Sequence, residues 1–351
     1  MEPVFRLPPF DAKPVSAVAL TETVDWSINF LGIPSLWKQS EGEGVVVAVL
    51  DTGCDVDHPD LQGAIAGARD FSGSLWGVRD RNAHGTWCVG MIGARANDVG
   101  VRGIVPKCKI LVGKVLGDDG SGSEEAILAG IEWAAAQGAH IISMSLGGPS
   151  MSERLHDAIR AFVSQPHRFV VCAAGNDGRN NSVNFPAKWE ETVAVAAVDE
   201  NGKLTSFSSR GPEVDIAAPG ANMLSTVPMT AGAYAKMSGT SMATPVVAGI
   251  AAACLSKHLK DGGSTGLETW KDLQAHLRKT ARDAGPIGPD VGYGYGIIDP
   301  AKLLDAISVV PPVVPTPEGP QGVQLRVKDA AGVEWNARKI DWERAGTSAN
   351  L

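Results

Sequence analysis

Short apolar runs recur through the middle of the chain. They alternate with longer stretches whose apolar positions fall at helical spacing. The runs at 45–50, 109–115, 140–143, 169–173 and 192–197 are rich in valine, isoleucine and alanine, with few polar breaks. A strand with one wet face alternates, whereas a strand buried on both faces reads as a run, so these segments predict buried parallel strands. Helices are expected between them at 85–94, 123–137, 152–164 and 240–259. The second opens on Ser-Glu-Glu and stops before Gly138. Strand and helix in alternation predict an α/β fold: a mostly parallel central sheet with helices on both faces. Functional groups then gather at the carboxyl ends of the strands.

Outside residues 21–308 the pattern changes. Residues 1–20 are punctuated by proline and carry neither helical nor strand periodicity. Residues 309–320, VVPPVVPTPEGP, read as an extended linker. In the tail, 321–351, VQLRV and VEW are separated by KDAAG, which fits a small hairpin. The chain has 351 residues, 44% of them apolar, enough to bury a full core. No apolar run approaches the length of a membrane span. A net charge of -8 argues against a general nucleic-acid binder and against a clamp on anionic membranes. Cys54, Cys88, Cys108, Cys172 and Cys254 are odd in number and lack zinc spacing, so reduced thiols are expected. The start, MEPVFRLPPFDAKP, has no signal-like apolar segment, and a cytoplasmic location is the expectation.

Three polar residues stand at junctions where such a sheet collects its chemistry. Asp51 follows the run VVVAVL, His84 precedes a small-residue helix in RNAHGTWCVG, and Ser241 opens the long helix in GTSMATPVVAG. Taken singly, each reads equally well as a cap or turn residue. Taken together they supply a hydroxyl, a base that can take its proton, and a carboxylate that can fix the base's tautomer.

The blocks VVVAVLDTGCDVDHPDL, NAHGTWCVGMI, KVLGDDGSGS, ISMSLGG, VVCAAGNDG, FSSRGPEVDIAAPG and GTSMATPVVAGIAA resemble the subtilisin-like serine proteases, in that family's order, across residues 22–308. The resemblance implies a serine endopeptidase with Ser241 as nucleophile, His84 as general acid and base, Asp51 as orienter and Asn176 as oxyanion donor. It implies that Gly120, Ser121 and Gly122 on one side, and Ser145, Leu146 and Gly147 on the other, receive a peptide or protein substrate as an added strand. Ala173, Ala174 and Gly175 would wall the pocket for the residue before the cut, with Asn184 near its base. Asp118, Asp119 and Glu124 either favour basic residues two or four positions before the cut or are solvated loop charges.

Structural calcium is also implied. Asp60, the Asn97 side chain and the carbonyls of Arg95, Val99 and Val101 would hold it, with Glu22 capping. Ala187, Trp189 and Asp215 would form a second, weaker site. The stretch FRLPPF, 5–10, resembles the inhibitory segment of intracellular subtilisins, which implies self-inhibition until cleavage. A homodimer is compatible with the resemblance. Two other functions stay open at this point: a processing protease for one peptide or leader sequence, and a protease-like binding module without activity. Two positions depart from the family pattern. Trp87 stands where His-Gly-Thr-His is usual, and Pro245-Val246-Val247 where Pro-His-Val is common.

Overall fold

The computed structural model describes residues 4–15, 21–263, 266–308, 326–328 and 334–336. The chain divides into two units, Met1–Val310 and Pro311–Leu351. In the second, Arg326–Lys328 pairs antiparallel with Glu334–Asn336, the hairpin that the tail's pattern suggests. The linker at 309–320 lies outside the described residues.

Seven strands form the central sheet of the first unit: β1 (Val46–Asp51), β2 (Ile65–Asp70), β3 (Lys109–Lys114), β4 (Ile141–Met144), β5 (Phe169–Ala173), β6 (Val193–Val198) and β7 (Ile216–Pro219). Their order is β7-β6-β5-β4-β1-β3-β2, and every pair is parallel. The five apolar runs become β1, β3, β4, β5 and β6. The edge strand β2 ends on two charged residues and has no fully buried position, and β7 is four residues long; neither has the signature of a buried run.

Four helices frame the site: α1 (His84–Gly93), α2 (Glu124–Ala136), α3 (Glu153–Val163) and α4 (Thr240–Lys260). Helix α1 packs on α4, and α2 on α3, while α1 and α2 both contact β1 and β3, so the two pairs cover opposite faces. Ser123 and Ser152 start α2 and α3 by accepting the amide hydrogens of Ala126 and Leu155. Helix α4 is apolar all round because it runs through the core. Among the described residues it is the one helix long and apolar enough to span a membrane, and it is 89% buried inside the protein.

Two stretches between residues 4 and 15 form strands, although the sequence there carries no strand periodicity. Val4–Arg6 pairs antiparallel with Ser121–Ser123, and Asp11–Val15 pairs with Tyr234–Ser238, which itself pairs with Met223–Thr226. These strands are held by backbone groups, so no apolar alternation was required to make them. Pro14 is tolerated because Asp11–Val15 is the outer strand.

Candidate active site

Strand β1 lies where the sheet's order reverses: β2 and β3 are added on one side, β4 onward on the other. Its carboxyl end opens into the crevice such a reversal creates. Asp51 is the last residue of β1, and its side chain turns into that crevice. One carboxylate oxygen accepts the Thr52 amide at 2.7 Å and meets His84 Nδ1 at 2.8 Å. Both side chains are sealed from water, Asp51 at 1% exposure and His84 at 0%.

His84 is held at the first position of α1 by a carboxylate that sequence reasoning missed. Asp80 is buried. It accepts the amides of Asn82, Ala83 and Thr86 and the hydroxyls of Thr52 and Thr86, all within 3.0 Å. Three of the donors are amides at or just before the start of a helix, where unpaired N–H groups favour an anion. Burial raises the Asp80 pKa, with the Thr86 amide and hydroxyl working against that rise. Thr52 returns the favour by accepting the Gly85 amide at 2.9 Å. A side chain at Gly85 would collide with the Gly53 carbonyl at 2.2 Å, so α1 can lie this close to the end of β1 only with glycine there.

Ser241 is the second residue of α4. Pro245 lies four residues on and has no N–H, so the helix cannot close on the Ser241 carbonyl. The Ser145 hydroxyl donates to that carbonyl at 2.8 Å instead, and Cys88 Sγ stands 3.8 Å from it. The Ser241 hydroxyl donates to the Ser145 carbonyl at 3.3 Å. It is not bonded to His84, whose Nε2 is buried without a hydrogen-bond partner. The carboxylate–imidazole half of the row is therefore formed, while the hydroxyl is bonded to Ser145.

Asn176 follows β5 after a turn at Gly175, where φ is +114° and a side chain would strike Ser209. The Asn176 Oδ1 accepts both the backbone amide and the hydroxyl of Thr240, at 2.9 and 2.8 Å. Because a backbone N–H can only donate, this fixes the amide's orientation. Nδ2 then points into the hollow and donates to the Pro9 carbonyl at 2.7 Å.

Both proposed edge segments are occupied by the chain's own N-terminus. Arg6 exchanges two backbone hydrogen bonds with Gly147, each 3.0 Å, and Leu7 donates to the Gly120 carbonyl at 3.0 Å. Phe5, opposite Gly122, is fully buried. The Phe10 ring sits 4.9 Å from that of His84. The register that pairs Arg6 with Gly147 sets Pro8 opposite Ser145, yet the carbonyl at Asn176 is that of Pro9. Ala173 and Ala174 are buried, and Asn184 donates to the Ala174 carbonyl at 3.2 Å while touching the space beside both Gly147 and Gly175. Leu146 is fully buried between the two edge residues that flank it.

The comparisons with known proteins agree with this arrangement. Residues 42–296 match the model of the Subtilase family. The chain belongs to that family. An intracellular serine protease of Paenibacillus polymyxa is 43% identical over 288 residues, covering 80% of this chain and 87% of that protein. A thermostable alkaline protease of Halalkalibacterium halodurans is 45% identical over 282 residues, covering 80% and 73%. The major intracellular serine protease of Bacillus subtilis strain 168 is 42% identical over 232 residues, covering 63% and 72%. The protein is a subtilisin-like serine endopeptidase, a hydrolase.

Other positions of this subtilase can now be placed. Asp60 is fully buried and accepts the Val101 amide at 2.8 Å; the Asn97 amide group lies 3.5 Å from it, and Glu22 accepts the Asn97 amide hydrogen at 3.0 Å. Residues 95–101 thus wrap Asp60, and Gly100 is required because any side chain there would overlap Asp60 and Tyr234. At the residues expected to form the weaker second site, Asp215 is paired with Arg278 at 3.2 Å, the Trp189 carbonyl accepts the amide and hydroxyl of Thr192, and Ala187 is buried. Both departures from the family pattern are absorbed by packing. Trp87 is fully buried and donates its indole N–H to the Ala235 carbonyl at 3.0 Å, and Val246 and Val247 are core residues.

Among the groups that sequence reasoning passed over, Lys114 is unusual. Its ammonium is fully buried, donates to the Thr52 carbonyl at 2.6 Å and pairs with Asp118 at 3.0 Å. Its only signal was a lysine ending an otherwise apolar run. Cys88 lies one turn beyond His84, its sulfur 3.8 Å from Nδ1. Burial, then the Asp51 charge, raises its pKa well above the usual thiol range, so it remains protonated and slow to react. A mercurial should nevertheless inactivate the enzyme slowly by displacing the imidazole. Cys88→Ala should abolish that sensitivity, as measured by residual peptidase activity after timed exposure.

Proposed function

We propose that Ser241, His84, Asp51 and Asn176 perform acyl transfer on peptide bonds in this enzyme. The observation that carries the reading is the sealed Asp51–His84 bond beside a hydroxyl and an amide donor that face one hollow. When the Ser241 hydroxyl turns from the Ser145 carbonyl to His84 Nε2, its proton passes to the imidazole as oxygen attacks the substrate carbonyl. Asp51 holds the Nδ1–H and steadies the imidazolium. Asn176 Nδ2 and the Ser241 amide, free because it lies in the first turn of α4, hold the oxyanion. His84 then gives the proton to the leaving amine, and water releases the acyl group by the same steps reversed. A fluorophosphonate should label the active protein and not Ser241→Ala. Asn176→Ala should lower kcat by about 10²–10³, the magnitude established for such a donor in subtilisin.

The N-terminal segment is read as an inhibitor of its own cleft. Hydrogen-bonded pairs in an antiparallel ladder recur every second residue, so the pair after Arg6 and Gly147 is Pro8 and Ser145. Pro8 has no N–H to offer, and the Ser145 carbonyl takes the Ser241 hydroxyl instead. The same proline pair puts the Pro9 carbonyl, one residue out of register, against Asn176. The segment therefore occupies the substrate's place while keeping the nucleophile turned away from its base. Removing about the first twenty residues would activate the enzyme. A chain beginning near Thr21 should be active at once while the full chain shows a lag. The variant Pro8→Ala/Pro9→Ala should cut itself within residues 8–10, read by intact mass. Equal activity of the full and shortened chains from the first minute overturns the inhibitory role.

Calcium is read as a structural partner at Asp60, Asn97 and the carbonyls of Arg95, Val99 and Val101, with Glu22 closing the loop. The side-chain donors are all oxygen, two of them carboxylates, and one carboxylate is fully buried, which suits a hard cation. The ion would stabilise the fold and take no part in the chemistry. At a hundredfold excess over its Kd it would add about 2.7 kcal/mol, or roughly 4 °C in Tm for a unit of this size. Chelation should lower Tm by that amount in the wild type and not in Asp60→Asn, by calorimetry. A cytoplasmic role follows from the two relatives named as intracellular.

A further inference from the structure

The N-terminal strand also carries information about what the cleft selects. Beside it lies a hollow of about 450 Å³ whose wall includes Arg6, Leu7, Asn82 and Asp119. Arg6 stands opposite Ser121 in the antiparallel pair, so their side chains leave the sheet on the same face. The Asp119 carboxylate lies on that face, because both of its oxygens accept the Ser121 hydroxyl, at 2.7 and 2.8 Å. The guanidinium of Arg6 and this carboxylate thus share one hollow, both exposed to water.

Three carboxylates flank this edge, and the structure separates them. Asp118 is neutralised by the buried Lys114 ammonium at 3.0 Å and bonded by Ser74 at 2.9 Å. Glu124 is buried and faces Arg154 at 3.6 Å. Among the described residues, the hydrogen bonds to Asp119 come from neutral donors, chiefly the amide and hydroxyl of Ser121, which leave its charge uncompensated. Those donors, followed by a contribution from Arg6, hold its carboxyl below the usual range.

We propose that Asp119 is a specificity residue that selects substrates carrying arginine or lysine at the position pairing with Gly147. This rests on the reading of the cleft given above, in which the N-terminal segment lies where substrate lies. The preferred strand would present a large apolar side chain to be buried as Phe5 is, then a basic residue, then a residue whose N–H meets Gly120. The basic position is neither of the two that the sequence suggested. It is set by the register of Arg6 with Gly147 and Ser121. The attraction acts between exposed charges across a water-filled hollow, so the preference should be modest and sensitive to salt.

The test uses the full chain, incubated with calcium until its activity is constant. Two chromogenic peptides are compared, Phe-Arg-Leu-Ala and Phe-Gln-Leu-Ala, each with the reporter group after alanine. The ratio of their kcat/KM values should be about 3–5 at low salt and approach 1 at 0.5 M NaCl. In Asp119→Asn, which keeps an acceptor oxygen for Ser121, the ratio should fall to about 1. Asp119→Lys should reverse it, in favour of a Phe-Glu-Leu-Ala peptide. A ratio near 1 in the wild type, or one that survives Asp119→Asn, overturns the proposal while leaving the cleft reading intact. Cleavage of none of the peptides, or equal cleavage by Ser241→Ala, overturns the cleft reading and this proposal with it.

Discussion

The bond between the Asp51 carboxylate and the His84 imidazole, closed to water, constrains everything around it. A carboxylate so buried costs several kcal/mol unless hydrogen bonds compensate it. Here the compensation comes from the Thr52 amide and from His84 itself. The end of β1 and the start of α1 must therefore meet at fixed separation. Gly85 permits the approach sterically, and Asp80 ties the two segments by accepting donors from both. A second carboxylate so close would be a liability if it had fewer donors. Its five bonds explain how it is kept at the helix start.

Ser145 joins the two halves of the site. Its hydroxyl steadies the backbone of Ser241, and its carbonyl receives the hydroxyl of the same residue. The first bond exists because Pro245 leaves a carbonyl unclaimed within α4. A proline inside a helix normally costs about 3 kcal/mol or more. In this position the loss of one helical bond is offset by a bond that locks the helix to the end of β4. The same strand end then passes directly into Leu146 and Gly147, the edge that pairs with Arg6. In the reading proposed above, nucleophile and substrate would thereby be referred to one rigid element.

Much of this was legible in the chain. Buried parallel strands announce themselves as valine- and isoleucine-rich runs, and five of the seven were found within a residue of their ends. The other two escaped for opposite reasons. Ile65–Asp70 is an edge strand of small and charged residues with no fully buried position, and Ile216–Pro219 is too short to form a pattern. The strands of the N-terminus were invisible because backbone pairing leaves no trace in side-chain periodicity. The positions of Asp51, His84, Ser241 and Asn176 were readable from their junctions and from the family resemblance. Asp80 and Lys114 were not, since what ties each to the site is a contact with Thr52, 28 and 62 residues away in sequence. The pairing of Asp215 with Arg278 was not readable either, because a sequence gives no sign of which arginine will fold onto which aspartate.

The strand Asp11–Val15 is the outer member of the small antiparallel sheet, and it covers Tyr234–Ser238. Were the N-terminal segment removed, as proposed above, Tyr234–Ser238 would become a free edge, a row of unclaimed amides and carbonyls just before the helix that carries Ser241. Such an edge invites pairing with another chain. Lys236, half-buried at its centre, is the kind of charged residue that discourages self-association. The same strand that covers the small sheet would thus guard against adhesion, so colloidal behaviour as well as turnover would distinguish a trimmed chain from the full one.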